Sequence, residues 1–123
     1  MSRKKKSTGA GWVDYNGKKY QVIFNLNVME EIQEAYGSVE KWGLLVEAEA
    51  EPKAKDVKFG FMAMLNEGID IWNEEHANDD GFVARPFFTD KQVGRLISDI
   101  GLKESALILN TQVVESTKSD EKN

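Results

Sequence analysis

The stretch Asp56-Val57-Lys58-Phe59-Gly60-Phe61-Met62-Ala63-Met64-Leu65-Asn66-Glu67-Gly68-Ile69-Asp70-Ile71-Trp72 decides the fold. Val57, Phe61, Met64, Leu65, Gly68 and Trp72 recur at three- and four-residue spacing, the signature of a helix with one buried stripe. Asp56 is placed to cap this helix, which is expected to run to about Glu75 and to form the centre of the core. Phe59, Met62, Ile69 and Ile71 fall partly outside the stripe. A helix apolar around so much of its circumference is either packed on several sides or offers a second contact surface, and both readings stand at this point.

Upstream, Trp12 to Tyr15 and Lys18 to Phe24 flank Asn16-Gly17, the pair that most readily takes the positive φ angles of a tight hairpin turn. Tyr20, Val22 and Phe24 alternate with Lys19, Gln21 and Ile23, so one face of the second strand is apolar and needs helices to cover it. A first helix follows, capped by Asn25 or Asn27, with Val28, Ile32, Ala35 and Tyr36 on one face and Gly37 as its stop. Ser38 caps a short second helix through Val39, Trp42, Leu45 and Val46. Glu47 to Lys55, around Pro52, reads as an exposed connection.

Downstream, Ala77 to Phe88 is a loop that nevertheless carries Phe82, Val83, Phe87 and Phe88. Thr89-Asp90-Lys91-Gln92 fits a capping box, with Phe88 and Val93 at the staple positions around it. Val93, Leu96, Ile97 and Ile100 form the buried stripe of that helix and Gly101 ends it. The last helix is expected from about Lys103 to Ser116. The expected fold is mainly α: a compact bundle of about five helices with a small N-terminal β-hairpin. It occupies residues 11–115 as a single domain, between a disordered basic tail at 1–10 and a disordered tail at 116–123.

The 123 residues carry a net charge of −5, but Arg3, Lys4, Lys5 and Lys6 supply four of the sixteen cations. A body that acidic repels phosphates, so a nucleic-acid partner is not expected beyond the basic tip, which itself reads more simply as a solvated end. The chain has no cysteine, so disulfides, thiolate metal sites and a cysteine nucleophile are excluded. Its apolar runs are too short for a membrane span, and a soluble cytoplasmic protein is expected.

Chemistry is sparse. His76 is the only histidine, and Glu74 and Glu75 beside it point away from it on a helix end. Asn78-Asp79-Asp80-Gly81 fails as a calcium loop, because aligning its glycine puts His76 at the first ligand position and Phe87 where a bidentate Glu belongs. No phosphate-binding glycine loop and no nucleophile elbow is present. Carboxylate pairs such as Glu30-Glu31 lie on polar helix faces without the apolar pocket a general acid requires. No catalytic residue, cofactor or metal is expected.

The order of these elements, with Phe24-Asn25-Leu26-Asn27-Val28-Met29-Glu30-Glu31-Ile32, then Tyr36-Gly37-Ser38-Val39-Glu40, the long Val57 to Trp72 helix, and Phe88 to Ile97, resembles the tail assembly chaperones of long-tailed bacteriophages over roughly residues 18–115. The resemblance implies a non-virion, non-enzymatic protein of the host cell cytoplasm that binds the tape measure protein and recruits tail tube subunits. It also implies a frameshifted longer form of the chain as a further partner. Glu121-Lys122-Asn123 is encodable as GAA-AAA-AAC, which contains a slippery heptamer. Two other readings compete: a small structural tail or head-completion protein of the virion, and a regulatory binding module.

A tape measure protein is long and helical, and its apolar stripes need cover before assembly, a task suited to an apolar groove with an acidic rim. Phe59, Met62 and Ile71 on the long helix, Phe82 and Phe87 in the loop, and Val114 near the end of the last helix are the candidate contacts. Each is equally readable as core.

Overall fold

The computed structural model describes residues 11–122. The elements are β1 (Trp12–Tyr15), β2 (Lys18–Gln21), α1 (Leu26–Tyr36), α2 (Val39–Leu45), α3 (Ala54–His76), α4 (Asp90–Ile100) and α5 (Leu102–Lys122). The protein is therefore mainly α, five helices with an N-terminal hairpin, as the periodicities dictate. The expectation of a basic tail at Arg3 to Lys6 lies outside the described residues.

In the hairpin, Trp12 pairs with Gln21 and Tyr15 with Lys18. Asn16 (φ 51°) and Gly17 (φ 77°) supply the two positive angles of the turn. β2 ends at Gln21 rather than Phe24, because the backbone changes partner there: Ile23 N–H donates to the carbonyl of Met64 on α3 (3.3 Å). Val22 is buried while Tyr20 and Phe24 pack partly against the core, so the apolar face of the strand is the one expected.

Asn25 is the cap of α1, its side chain accepting from Val28 N–H, and Gly37 (φ 93°) closes the helix. Val28 and Ile32 are fully buried, whereas Ala35, at the edge of the same stripe, faces solvent. Ser38 caps α2 by accepting from Lys41 N–H. Thr89 and Gln92 form the reciprocal capping box of α4, and α5 follows directly after Gly101.

α3 is the axis of the bundle. Val57, Phe61, Met64, Leu65 and Ile69 are sealed from solvent among Val28 and Ile32 of α1, Trp42 of α2, Val93 and Leu96 of α4, and Leu109 of α5. Ile69 thus belongs to the core, because the hairpin and α5 pack on sides of α3 that a single stripe does not anticipate.

Two further boundaries differ from expectation. Asp56 does not cap α3: the helix starts at Ala54 after Lys53, with no side-chain cap. Asp56 lies in the first turn, nearly buried, where its carboxylate accepts the Tyr36 hydroxyl and its carbonyl accepts Trp42 Nε1–H (3.0 Å). A residue that looks like a cap therefore joins α1 and α2 to the start of α3. α5 continues past Ser116 to Lys122, so the backbone of 116–122 is helical where a loose tail is expected.

Candidate functional site

α3 has a second face. Phe59, Met62, Asn66 and Asp70 follow one another at three- and four-residue steps, with Ala63 beside them, on the side away from the Val57–Phe61–Met64 stripe. Phe59 and Met62 are half-buried against the core, and Phe59 meets the Tyr36 ring edge-on at 5.4 Å. Phe87, more than half exposed, stands over this face from the α3–α4 loop. A cavity of about 250 Å³ opens there, walled by Glu31, Glu67 and Asp70. It shares Phe59 and Met62 with a second cavity of about 510 Å³, bordered by Tyr36, Lys55, Lys58 and Asp90. Together they form one groove along α3, carboxylates at one end and lysines at the other. Lys58 Nζ is held 3.0 Å from the Asp90 carboxylate.

The loop that carries Phe87 has no regular structure over residues 77–89, yet two asparagine side chains fix it. Asn66 accepts from Phe88 N–H (2.7 Å) and donates to Phe88 C=O (3.2 Å). Asn73, two turns further along α3, does the same for Arg85, at 2.9 and 3.1 Å. Each amide imitates a strand partner for an otherwise unpaired stretch of backbone. Phe88 consequently turns inward against Tyr15 and Tyr20, with ring centroids at 4.9 and 5.0 Å, and its neighbour Phe87 turns outward. The Arg85 guanidinium lies over both Trp72 (4.0 Å) and Tyr20 (4.6 Å) and donates to Lys19 C=O.

Replacing Asn66 by alanine strips both partners from Phe88 and is expected to cost about 2 kcal/mol, two backbone hydrogen bonds at about 1 kcal/mol each. Urea denaturation gives the cost, and hydrogen exchange at the Phe88 amide gives the mechanism. Unchanged exchange there in Asn66→Ala would show that the clamp does not hold the loop.

At the acidic end, Glu67 is anchored by Asn25 Nδ2 (2.8 Å) and Asn27 Nδ2 (3.1 Å), so it stands in one place on the rim. The Glu31 carboxyl is held above its ordinary value of 4.5, first by partial burial and then by the charges of Glu67, Glu34 and Glu30. A raised value in the folded state favours the protonated form. The stability it contributes is present below about pH 4.5 and lost as the pH rises through the raised value. At neutral pH the ionised Glu31 therefore works against folding. Glu31→Gln is expected to raise Tm at pH 7 and to lose that advantage below about pH 4.5; a constant difference across the range would refute this origin. Tyr36 titrates well above its ordinary value because of burial, then the hydrogen bond to Asp56 and that carboxylate's charge.

A separate apolar groove of about 550 Å³ lies between α2 and α5, lined by Val39, Trp42, Leu44, Asn110, Val113 and Val114. Leu44 is 70% and Val114 54% exposed. Of the six candidate contacts, Phe59, Met62 and Phe87 come together in the α3 groove and Val114 stands in this other one. Ile71, half-buried, and Phe82 line neither; Phe82 packs towards Trp72 instead, with ring centroids at 6.1 Å. Sequence reasoning missed Glu31, Lys55 and Lys58 as residues of the α3 groove, and Leu44 as a residue of the α2–α5 groove.

His76 stacks on Trp72 at 4.1 Å with Nδ1 2.8 Å from the Trp72 carbonyl. Asp79 to Phe82 form a turn, Gly81 having φ 71°. Among the described residues no group of three or more His, Asp or Glu side chains is placed to hold a metal, and no helix is long and apolar enough to cross a membrane. Comparison with protein-family models, with curated proteins and with solved structures finds no match to the chain.

Proposed function

We propose that the chain is a phage tail assembly chaperone: a non-enzymatic protein of the host cell cytoplasm that binds the tape measure protein and recruits tail tube subunits during tail morphogenesis. The observation that carries this reading is the α3 groove, where half-buried Phe59 and Met62 and exposed Phe87 form an apolar floor and wall beside a carboxylate rim. Such a surface suits an apolar stripe of a helical protein, and the acidic body limits self-association and contact with nucleic acid. The element order from Asn25 to Ile97, which resembles that family, supports the same reading.

Co-expression with a phage tape measure protein tests it. The tape measure protein is expected to remain in solution and to copurify with the chain, or with its frameshifted longer form. Failure of both forms to bind overturns the reading. Mass spectrometry of mature particles adds a second check, since a chaperone is absent from them whereas a structural tail or head-completion protein is present.

A further inference from the structure

We propose that the α3 groove, rather than the α2–α5 groove, is the docking site, and that its occupant is an amphipathic helix of a partner protein carrying lysine or arginine at the end that lies against Glu31, Glu67 and Asp70. This rests on the chaperone reading for the identity of the partner, but not for the chemistry of the segment.

Length, floor and charge support it. From Lys55 to Asp70 the groove follows sixteen residues of α3, about 22 Å at 1.5 Å rise per residue, which matches about four turns of a partner helix. Its floor, Phe59 and Met62 with Phe87 above them, suits side chains that recur every three or four residues. The two ends differ in sign. At the far end Glu67 is fixed by Asn25 and Asn27, and Glu31 and Asp70 add carboxylates in exposed positions that pair with no cation among the described residues; at the near end stand Lys55 and Lys58, the latter shared with Asp90. A cationic end is drawn to the carboxylates and repelled by the lysines, so the groove sets the direction in which the helix lies. The α2–α5 groove, of about 550 Å³, is lined among the described residues by no charged side chain but Glu40 and Glu47, so it has no opposed charge to set a direction.

The test uses two synthetic peptides of about 18 residues, long enough to hold a helix once docked. Both carry leucines at three- and four-residue spacing; one has lysines at one end and glutamates at the other, and the second has glutamates at both ends. Titration calorimetry is expected to show the first binding the wild-type chain and the second binding more weakly. Glu31 and Asp70 are exposed and, among the described residues, make no side-chain hydrogen bond, so the E31K/D70K double variant is expected to keep its circular dichroism spectrum. In it the first peptide weakens roughly ten-fold and the all-glutamate peptide gains, the swing of two rim charges changing from attraction to repulsion or the reverse. A spin label at the lysine end is expected to broaden the amides of Glu31 and Asp70 and to spare Ala54 and Lys55.

Absence of binding by either peptide, equal binding of both, or broadening at Leu44 and Val114 overturns the proposal. If the tape measure protein copurifies equally with wild type and E31K/D70K, the chaperone reading stands and the groove assignment falls. If the peptide docks as described and the tape measure protein does not bind, the reverse holds.

Discussion

Trp42→Ala is expected to remove about 4 kcal/mol of stability, within the usual range for an aromatic side chain deleted from a core and a large share of the 5–15 kcal/mol that holds a domain of this size. Trp42 is fully buried and makes two kinds of contact that alanine cannot. Its Nε1–H satisfies the carbonyl of Asp56, and its six-membered ring lies flush on the Cα of Gly60 in α3. A methyl group at Gly60 would overlap Trp42 Cζ2 and sit 3.0 Å from Cε2 and 3.2 Å from Cη2. Gly60→Ala should therefore destabilise by about 1–3 kcal/mol through overpacking, although the same change in an unpacked helix gains about 1 kcal/mol. The pair is expected to couple: in a Trp42→Phe background, which removes the overlapping ring atoms, Gly60→Ala costs less than in wild type. Urea denaturation of the four proteins in this cycle measures it. A stabilising Gly60→Ala, or strict additivity, would contradict the packing described.

Gly68→Ala is expected to cost about 2–3 kcal/mol, because the obstacle there is backbone. β2 leaves the hairpin across α3 at this residue: the Gln21 carbonyl occupies the space a Cβ would need, and Ile23 N–H bonds to Met64 one turn earlier. A ring or a flexible side chain can tilt, but a carbonyl in this position moves only if the hairpin moves, and Tyr20 and Val22 move with it. Gly94→Ala in α4 is the control. Its methyl would meet only the Lys58 side chain, at 3.6 Å and beyond, so the change should stabilise by about 0.5–1 kcal/mol. Opposite shifts of Tm in the two variants are the expected result; two gains would show that hairpin and helix are not in backbone contact.

What the sequence made legible was local. Thr89 and Gln92 announce a helix start because both halves of the box lie within four residues, and Asn16-Gly17 announces a turn because few other pairs take those φ angles. The α3 stripe was legible from Val57 to Gly68 because 3.6-residue periodicity needs no knowledge of partners; Trp72, expected on the same stripe, lies outside the buried core with His76 stacked on it and Arg85 over its ring. What was not legible was set by contacts distant in sequence. Asp56 before an apolar run reads as a cap, and nothing near it tells that Tyr36, twenty residues earlier, will take its carboxylate. By its pattern the outer face of α3 fits either core or contact surface, and Phe59 and Met62 are a little of each: packed on the bundle and open to the groove.

The loop shows the same limit. Phe82 and Phe87 are indistinguishable as aromatics between turn residues, yet one lies near Trp72 and the other stands over the groove. The difference comes from Asn66 and Asn73, whose amides grip Phe88 and Arg85. One signal existed: two asparagines seven residues apart within a long helix, where that residue type is unfavourable, mark positions two turns apart on one face. The acidic rim was anticipated as a property of the body, but not its residues, because Glu31 reaches the groove only through the packing of α1 on α3.

The most direct test of the central claim is co-expression of the tape measure protein with the wild-type chain and with a Met62→Glu variant, reading the amount of tape measure protein that stays in solution and copurifies. Met62 is half-exposed on the groove floor, so a carboxylate there blocks an apolar ridge while leaving the sealed core untouched. The account predicts a soluble complex with wild type and its loss with Met62→Glu, the variant itself remaining folded by circular dichroism. A tape measure protein that is equally soluble without the chain, or that binds Met62→Glu as well as wild type, would contradict it.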